Sequence, residues 1–318
     1  MSDGRLPNLL IVGVPKAGTT SLYAYLSQHP AVSGGEEKEP GYFNQFSLRR
    51  PPGKTPMTIE QYKRLFDGSG SEPYVMEATP SYCYGGRPTI EAIRSSLADP
   101  RIIISLRNPT DRLWSGYNFQ RSKGNIPGIG SFAEYLAVCE QRRADGTERV
   151  STDHLQGLAT GFYAEYVPLW LRAFGDHLRV VFAEDLAHEP IAVLRSLCDW
   201  LGIDPSPVDA LDLGTRNVTV RARSPRFAGT VYRLKRAGDR HRVLPRPLRE
   251  GLRRTYLRFN ARGPAEELSP EMRQRVDGIY EDSNRETRRV LRQSGYDRLP
   301  AWLRDVDSRS ADVALRSG

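Results

Sequence analysis

Cysteine is scarce, with three residues in a chain of 318. Cys83, Cys139 and Cys198 lie far apart, and none has a His or Cys at metal-ligand spacing. The chain therefore offers neither a disulfide framework nor a structural zinc, and the three thiols read as small hydrophobes in a reducing compartment. No metal site is expected. Long apolar runs are missing too: no stretch of about 18 uncharged apolar residues occurs, so no membrane span is expected. The first apolar run, Leu9 to Val14, is too short for a signal core and runs into a glycine-containing loop. A cytoplasmic location is expected.

With 39% apolar and 26% charged residues, the composition is that of a globular protein. The net charge of +8 is concentrated: residues 215–262 carry fifteen Lys or Arg against Asp239 and Glu250, giving +13 and leaving about −5 elsewhere. Such a block suits an anionic partner or a solvated helical face. It carries no recognisable nucleic-acid reading motif, so no nucleic-acid partner is expected.

Short apolar runs alternate with helical patterns, which predicts an α/β fold with a central parallel sheet. Strands are expected at Leu9–Val14, Tyr74–Ala78, Arg101–Leu106 and Leu178–Ala183. Helices are expected at Thr19–His29, Thr110–Arg121, Phe132–Arg143, Phe162–Phe174, Pro190–Leu201 and Pro270–Ser294. Residues 49–56 and 124–130 read as irregular, and 216–247 as a mobile basic excursion, with a lid as one reading.

The segment Gly13-Val14-Pro15-Lys16-Ala17-Gly18-Thr19-Thr20 follows the first strand and opens a helix. Backbone N–H groups and a helix N-terminus converge on an anion in that context. The Walker signature G-x-x-x-x-G-K-[ST] fails, because Thr19 holds the lysine position and the lysine stands earlier, at Lys16. A nucleoside or sugar kinase, with an acid at the end of the run Leu178–Asp185, is disfavoured on that ground. Further along, Arg107-Asn108-Pro109 follows an apolar run, with Asn108 and Pro109 suited to a helix N-cap and first position. Arg107 and Ser115 can then meet one phosphate above the sheet. In Lys38-Glu39-Pro40, the proline disfavours helix at Glu39, which predicts an extended, fixed carboxylate able to act as a base beside Lys38.

These segments resemble the sulfotransferases that use 3′-phosphoadenosine 5′-phosphosulfate. Pro15-Lys16-Ala17-Gly18-Thr19-Thr20 matches the family's P-K-[AGS]-G-T-[TS] loop, and Arg107–Tyr117 matches R-[ND]-P-x-[DE]-R-x-x-S-x-Y. Lys38–Phe43 is similar to the K-E-P-x-[YF]-F run of the heparan sulfate branch and its relatives. The resemblance implies one P-loop-like domain over residues 1–318, with a core at about 8–300 and a flexible tail at 305–318. It implies that Lys16, Ala17, Gly18, Thr19, Thr20 and Ser21 hold the donor's 5′-phosphosulfate, and that Arg107, Ser115 and one of Arg221 and Arg223 hold its 3′-phosphate. By the same resemblance Glu39 is the base, with Lys16 and Lys38 steadying the transferring group. Glu77, Thr79 and Tyr82 would shape the acceptor cleft, with His154 a further candidate for its lining. The implied partner is a small-molecule or glycan acceptor.

Overall fold

The computed structural model describes residues 5–47, 55–148, 154–214 and 267–304. The excursion expected at 216–247, with Arg221 and Arg223, lies outside the described residues, as do the tail at 305–318 and most of the irregular segment 49–56.

Five strands, β1 (Leu9–Gly13), β2 (Val32–Gly34), β3 (Tyr74–Ala78), β4 (Arg101–Leu106) and β5 (Leu178–Phe182), form one sheet in the order β2-β3-β1-β4-β5. Every pairing is parallel. β1 is central, and Leu9 to Val12 are at most 1% exposed, so both faces of the sheet must be covered. The period of two sorts its side chains. Leu10 and Val12 join Val75, Ile102, Ile104 and Val180 in the core on one face. Leu9 and Ile11 join Met76, Ile103 and Val181 on the other.

Helices fill both layers. α1 (Thr19–Leu26), α2 (Ile59–Arg64), α3 (Gly86–Ser96), α4 (Pro109–Lys123), α5 (Phe132–Ala144), α6 (Val167–Phe174), α7 (Ala183–His188), α8 (Pro190–Leu201) and α9 (Pro270–Gln293) follow in chain order. α1 and α8 cover the Leu9–Ile11 face through Leu22, Leu26, Leu194 and Leu197. α3 and α6 cover the opposite face through Ile90, Ile93 and Trp170. A third core joins α4, α5 and α9 through Leu113, Tyr117, Leu136, Val276 and Tyr280. All three cysteines are free and buried, as small hydrophobes should be. No helix among the described residues is long and apolar enough to cross a membrane.

The differences from the sequence expectation have local causes. The first helix stops at Leu26 and not at His29, and the chain turns before Pro30. There His29 is 3% exposed, accepts the Ala31 N–H at Nδ1 and meets the Asp204 carbonyl through Nε2, so its proton sits on Nε2. The helix expected at Phe162–Phe174 is a short turn at Tyr163–Glu165 followed by α6, because Pro168 lacks an N–H and fits only a first turn. Ala183 opens α7 and does not end a strand. β2, at three residues, is too short to show a period. α2 was not among the expected helices; its start is fixed by a capping box between Thr58 and Gln61.

Candidate active site

All five strands are parallel, so their carboxyl ends open on one edge. The chain leaves β1 for β2 on one side of it and leaves β3 for β4 on the other, which makes the crevice above β1 and β4 the point where strand order reverses. Residues 13–20 leave β1 at this crevice, and Arg107 leaves β4 beside them.

The β1–α1 turn needs its glycines in two places. A Cβ on Gly13 would stand 2.6 Å from Cys83 Cβ, and Gly18 adopts φ +78°. Lys16 also has positive φ, at 71°. Ser105 Oγ donates to the Ala17 carbonyl at 2.5 Å and Arg107 Nη1 to the Lys16 carbonyl at 3.2 Å, pinning the loop to β4. No side chain of its N-cap residue, Gly18, caps α1, and the opening N–H groups of a helix lie beyond the reach of its i−4 ladder. Thr19 is buried there, while Thr20 and Ser21 are half-buried. Burial, then the charges of Arg107 and Lys123, push the Lys16 ammonium down to about 8, with Glu39 opposing. Its Nζ lies 4.4 Å from the centre of the Phe119 ring.

β4 leads into α4 through a cap formed by Asn108, whose Oδ1 accepts from Thr110 N at 2.9 Å and Asp111 N at 3.3 Å. The Asn108 N–H donates to Glu184 Oε1 at 2.7 Å, so this strand-end acid is committed to holding the turn. Tyr163 OH donates to the Arg107 carbonyl at 2.7 Å. Ser115 is half-buried two turns into α4. Arg112 is 3% exposed beneath them, donates to the Gly157 carbonyl and has Tyr84, Tyr163 and Tyr280 as neighbours. Tyr117 packs in the third core.

The loop after β2 carries Lys38 Nζ 2.5 Å from Glu39 Oε1, an ion pair with the carboxylate 55% exposed. Glu39 is not extended as expected but has φ +66°. Its chain is fixed on both sides, by Glu36 N to the Leu65 carbonyl and by Gly41 N to Thr79 Oγ1, and Pro40 closes the helical alternative.

Glu77 and Tyr82 are 2% and 0% exposed, which puts them under this loop and not on an open cleft wall. Thr79 Oγ1 donates to Glu77 Oε1 at 2.5 Å and accepts the Gly41 N–H at 3.2 Å; Tyr62 OH also donates to Glu77. Tyr82 OH accepts the Phe43 N–H at 3.2 Å. Burial raises the Glu77 carboxyl, while hydrogen bonds from Thr79, Tyr62 and Tyr82 hold it down. The tyrosine at 62 went unnoticed in the sequence, since nothing links it to Glu77 locally. His154 is exposed, and its carbonyl accepts from Tyr135 OH. A concavity of about 570 Å³ on α9, lined by Arg285, Glu286, Arg289 and neighbours, takes no residue from the strand ends, and Arg285 and Arg289 are paired to acids of the same helix.

A family model described as the sulfotransferase domain matches residues 6–224. Human bifunctional heparan sulfate N-deacetylase/N-sulfotransferase 2 is 29% identical over 206 residues, covering 63% of this chain and 22% of the relative. Human heparan sulfate glucosamine 3-O-sulfotransferase 6 is 32% identical over 200 residues, covering 63% of this chain and 53% of the relative. The matched stretch thus spans about a fifth of the first relative and half of the second. A sulfotransferase from Alicyclobacillus acidocaldarius superposes with a TM-score of 0.65 at 25% identity, over 94% of this chain and 100% of that one.

Proposed function

The chain belongs to the sulfotransferase domain family, and from that premise we propose that it moves a sulfuryl group from 3′-phosphoadenosine 5′-phosphosulfate to a hydroxyl of a carbohydrate or glycosylated natural-product acceptor. One observation carries this reading. The uncapped α1 N-terminus with Lys16 and the guanidinium of Arg107 stand on adjacent strands, joined by the Arg107 to Lys16 hydrogen bond. Two anion sites so placed suit a nucleotide with phosphates at both ends of its ribose. The heparan sulfate relatives support a carbohydrate as the acceptor class.

In this reading Gly18, Thr19, Thr20 and Ser21 take the 5′-phosphate through backbone and hydroxyl donors. Arg107 and Ser115 take the 3′-phosphate, with Arg221 or Arg223 as a further contact. The acceptor oxygen attacks sulfur as the bond from sulfur to the phosphate oxygen breaks. The acceptor proton passes to Glu39, held in place by Lys38, and Lys16 stabilises the charge left on the departing phosphate. Thr79 and Tyr82 act beneath the loop by fixing Gly41 and Phe43.

Thermal-shift measurements with adenosine 3′,5′-bisphosphate and with ATP–magnesium test the donor class. The bisphosphate should raise the melting temperature in a concentration-dependent way. Stabilisation by ATP–magnesium alone would overturn the proposal.

A further inference from the structure

Phe119 is out of place as a folding residue. It is one of three large hydrophobic side chains among the described residues with more than a third of their surface exposed, at 37%. It stands on α4 four residues after Ser115 and four before Lys123, so one helical stripe carries all three. The ring lies 4.4 Å from Lys16 Nζ and 5.5 Å from Lys123 Nζ.

Lys16 is in a crowded electrostatic position. Among the described residues the charges that act on it are Arg107 from the β4–α4 turn, Lys123 from α4 and Glu39 from the loop after β2. The two cations repel it, and Glu39 shares its charge with Lys38 at 2.5 Å. Half-burial also withholds water from the ammonium. The face of an aromatic ring attracts such a cation through its quadrupole, and does so best where solvent is partly excluded.

We infer that Phe119 is a positioning residue for Lys16: its ring seats the ammonium at the mouth of the phosphate loop and keeps it protonated until a donor arrives. The inference rests on the sulfotransferase reading for its purpose, though the seat itself exists in the free protein. A leucine at 119 keeps the apolar volume and loses the quadrupole; a tryptophan strengthens it. At an exposed position neither change leaves a buried hole.

The test is a side-chain NMR titration of the lysine-labelled full chain, with Lys16 assigned through K16R, in wild type, F119L and F119W. F119L should lower the protonation constant of Lys16 by about two- to fivefold, and F119W should restore or exceed the wild-type value. In parallel, the ratio of wild-type to F119L affinity for adenosine 3′,5′-bisphosphate should widen as pH rises from 6.5 to 9, since protonated Lys16 is lost earlier in the variant. A Lys16 titration that is the same in all three proteins would overturn the role of Phe119 while normal bisphosphate binding left the donor reading standing. Absence of bisphosphate binding in wild type would instead refute the donor reading, and the titration would still decide whether the seat exists.

Discussion

Replacing Thr79 with valine tests whether the buried network beneath the Glu39 loop fixes that loop. The side chain is 2% exposed and valine has nearly its shape, so no cavity forms and the hydroxyl alone is removed. Two bonds disappear: the donation to Glu77 Oε1 at 2.5 Å and the acceptance from Gly41 N–H at 3.2 Å. A hydrogen bond to a charged group contributes about 1.5–3 kcal/mol, and an orphaned donor costs about 1–3 kcal/mol. Gly41 is half-buried, so water recovers part of its bond, and the sum is about 2–4 kcal/mol. With a urea slope of about 3 kcal/mol/M, the unfolding midpoint should fall by about 1 M.

The loss should also depend on pH in a set direction. Burial already raises the Glu77 carboxyl in the folded chain, and Thr79 supplies the first of the hydrogen bonds opposing that rise. Removing it raises the carboxyl further. A carboxyl whose folded value exceeds its unfolded value contributes stability that is fully present below the unfolded value and lost as pH climbs through the folded one. T79V should therefore be penalised more at pH 8 than at pH 5. Affinity for adenosine 3′,5′-bisphosphate should hold while sulfation slows, because the loop bearing Glu39 is loosened and the phosphate loop is not. A penalty under about 0.5 kcal/mol, or one equal at both pH values, would refute the reasoning.

Glu39→Gln should keep bisphosphate affinity and slow single-turnover sulfation by about 10²–10⁴-fold, and near-normal turnover would remove Glu39 as the base. For Lys16→Met, a rate loss of about 10²–10³-fold is expected together with weakened bisphosphate binding; unchanged rates would dismiss its leaving-group role. Arg107→Ala should weaken adenosine 3′,5′-bisphosphate by about tenfold to a hundredfold in calorimetry, and adenosine 5′-phosphate by clearly less, through the freed Lys16 carbonyl alone. Equal losses for the two nucleotides would place Arg107 away from the 3′-phosphate.

What could be read from the sequence differs in kind from what could not. Residues 13–20 were legible because a phosphate loop works through its backbone, and backbone geometry is written locally, as a buried strand, two glycines and a helix start. The Asn108 cap was legible for the same reason: its acceptor is two and three residues from its donors. Glu39 shows where local reasoning stops. Pro40 did exclude helix, but the choice between extended and left-handed backbone was made by Leu65 and Thr79, which bond Glu36 and Gly41 from 29 and 38 positions away. Glu77 likewise looked like the wall of a cleft until Tyr62 and Thr79 were seen to occupy its oxygens. Phe119 stands two residues beyond the Arg107–Tyr117 segment, and a phenylalanine on a helix beside Tyr117 reads as core. Only the turn of α4 over the phosphate loop gives its ring two ammonium groups to face. A cation-holding residue of that sort has no motif of its own, because the attraction depends on a ring face and a distance, and any helix that delivers an aromatic to the same place would serve. In this chain the tuning of Lys16 therefore sits on α4, outside the loop that carries the lysine.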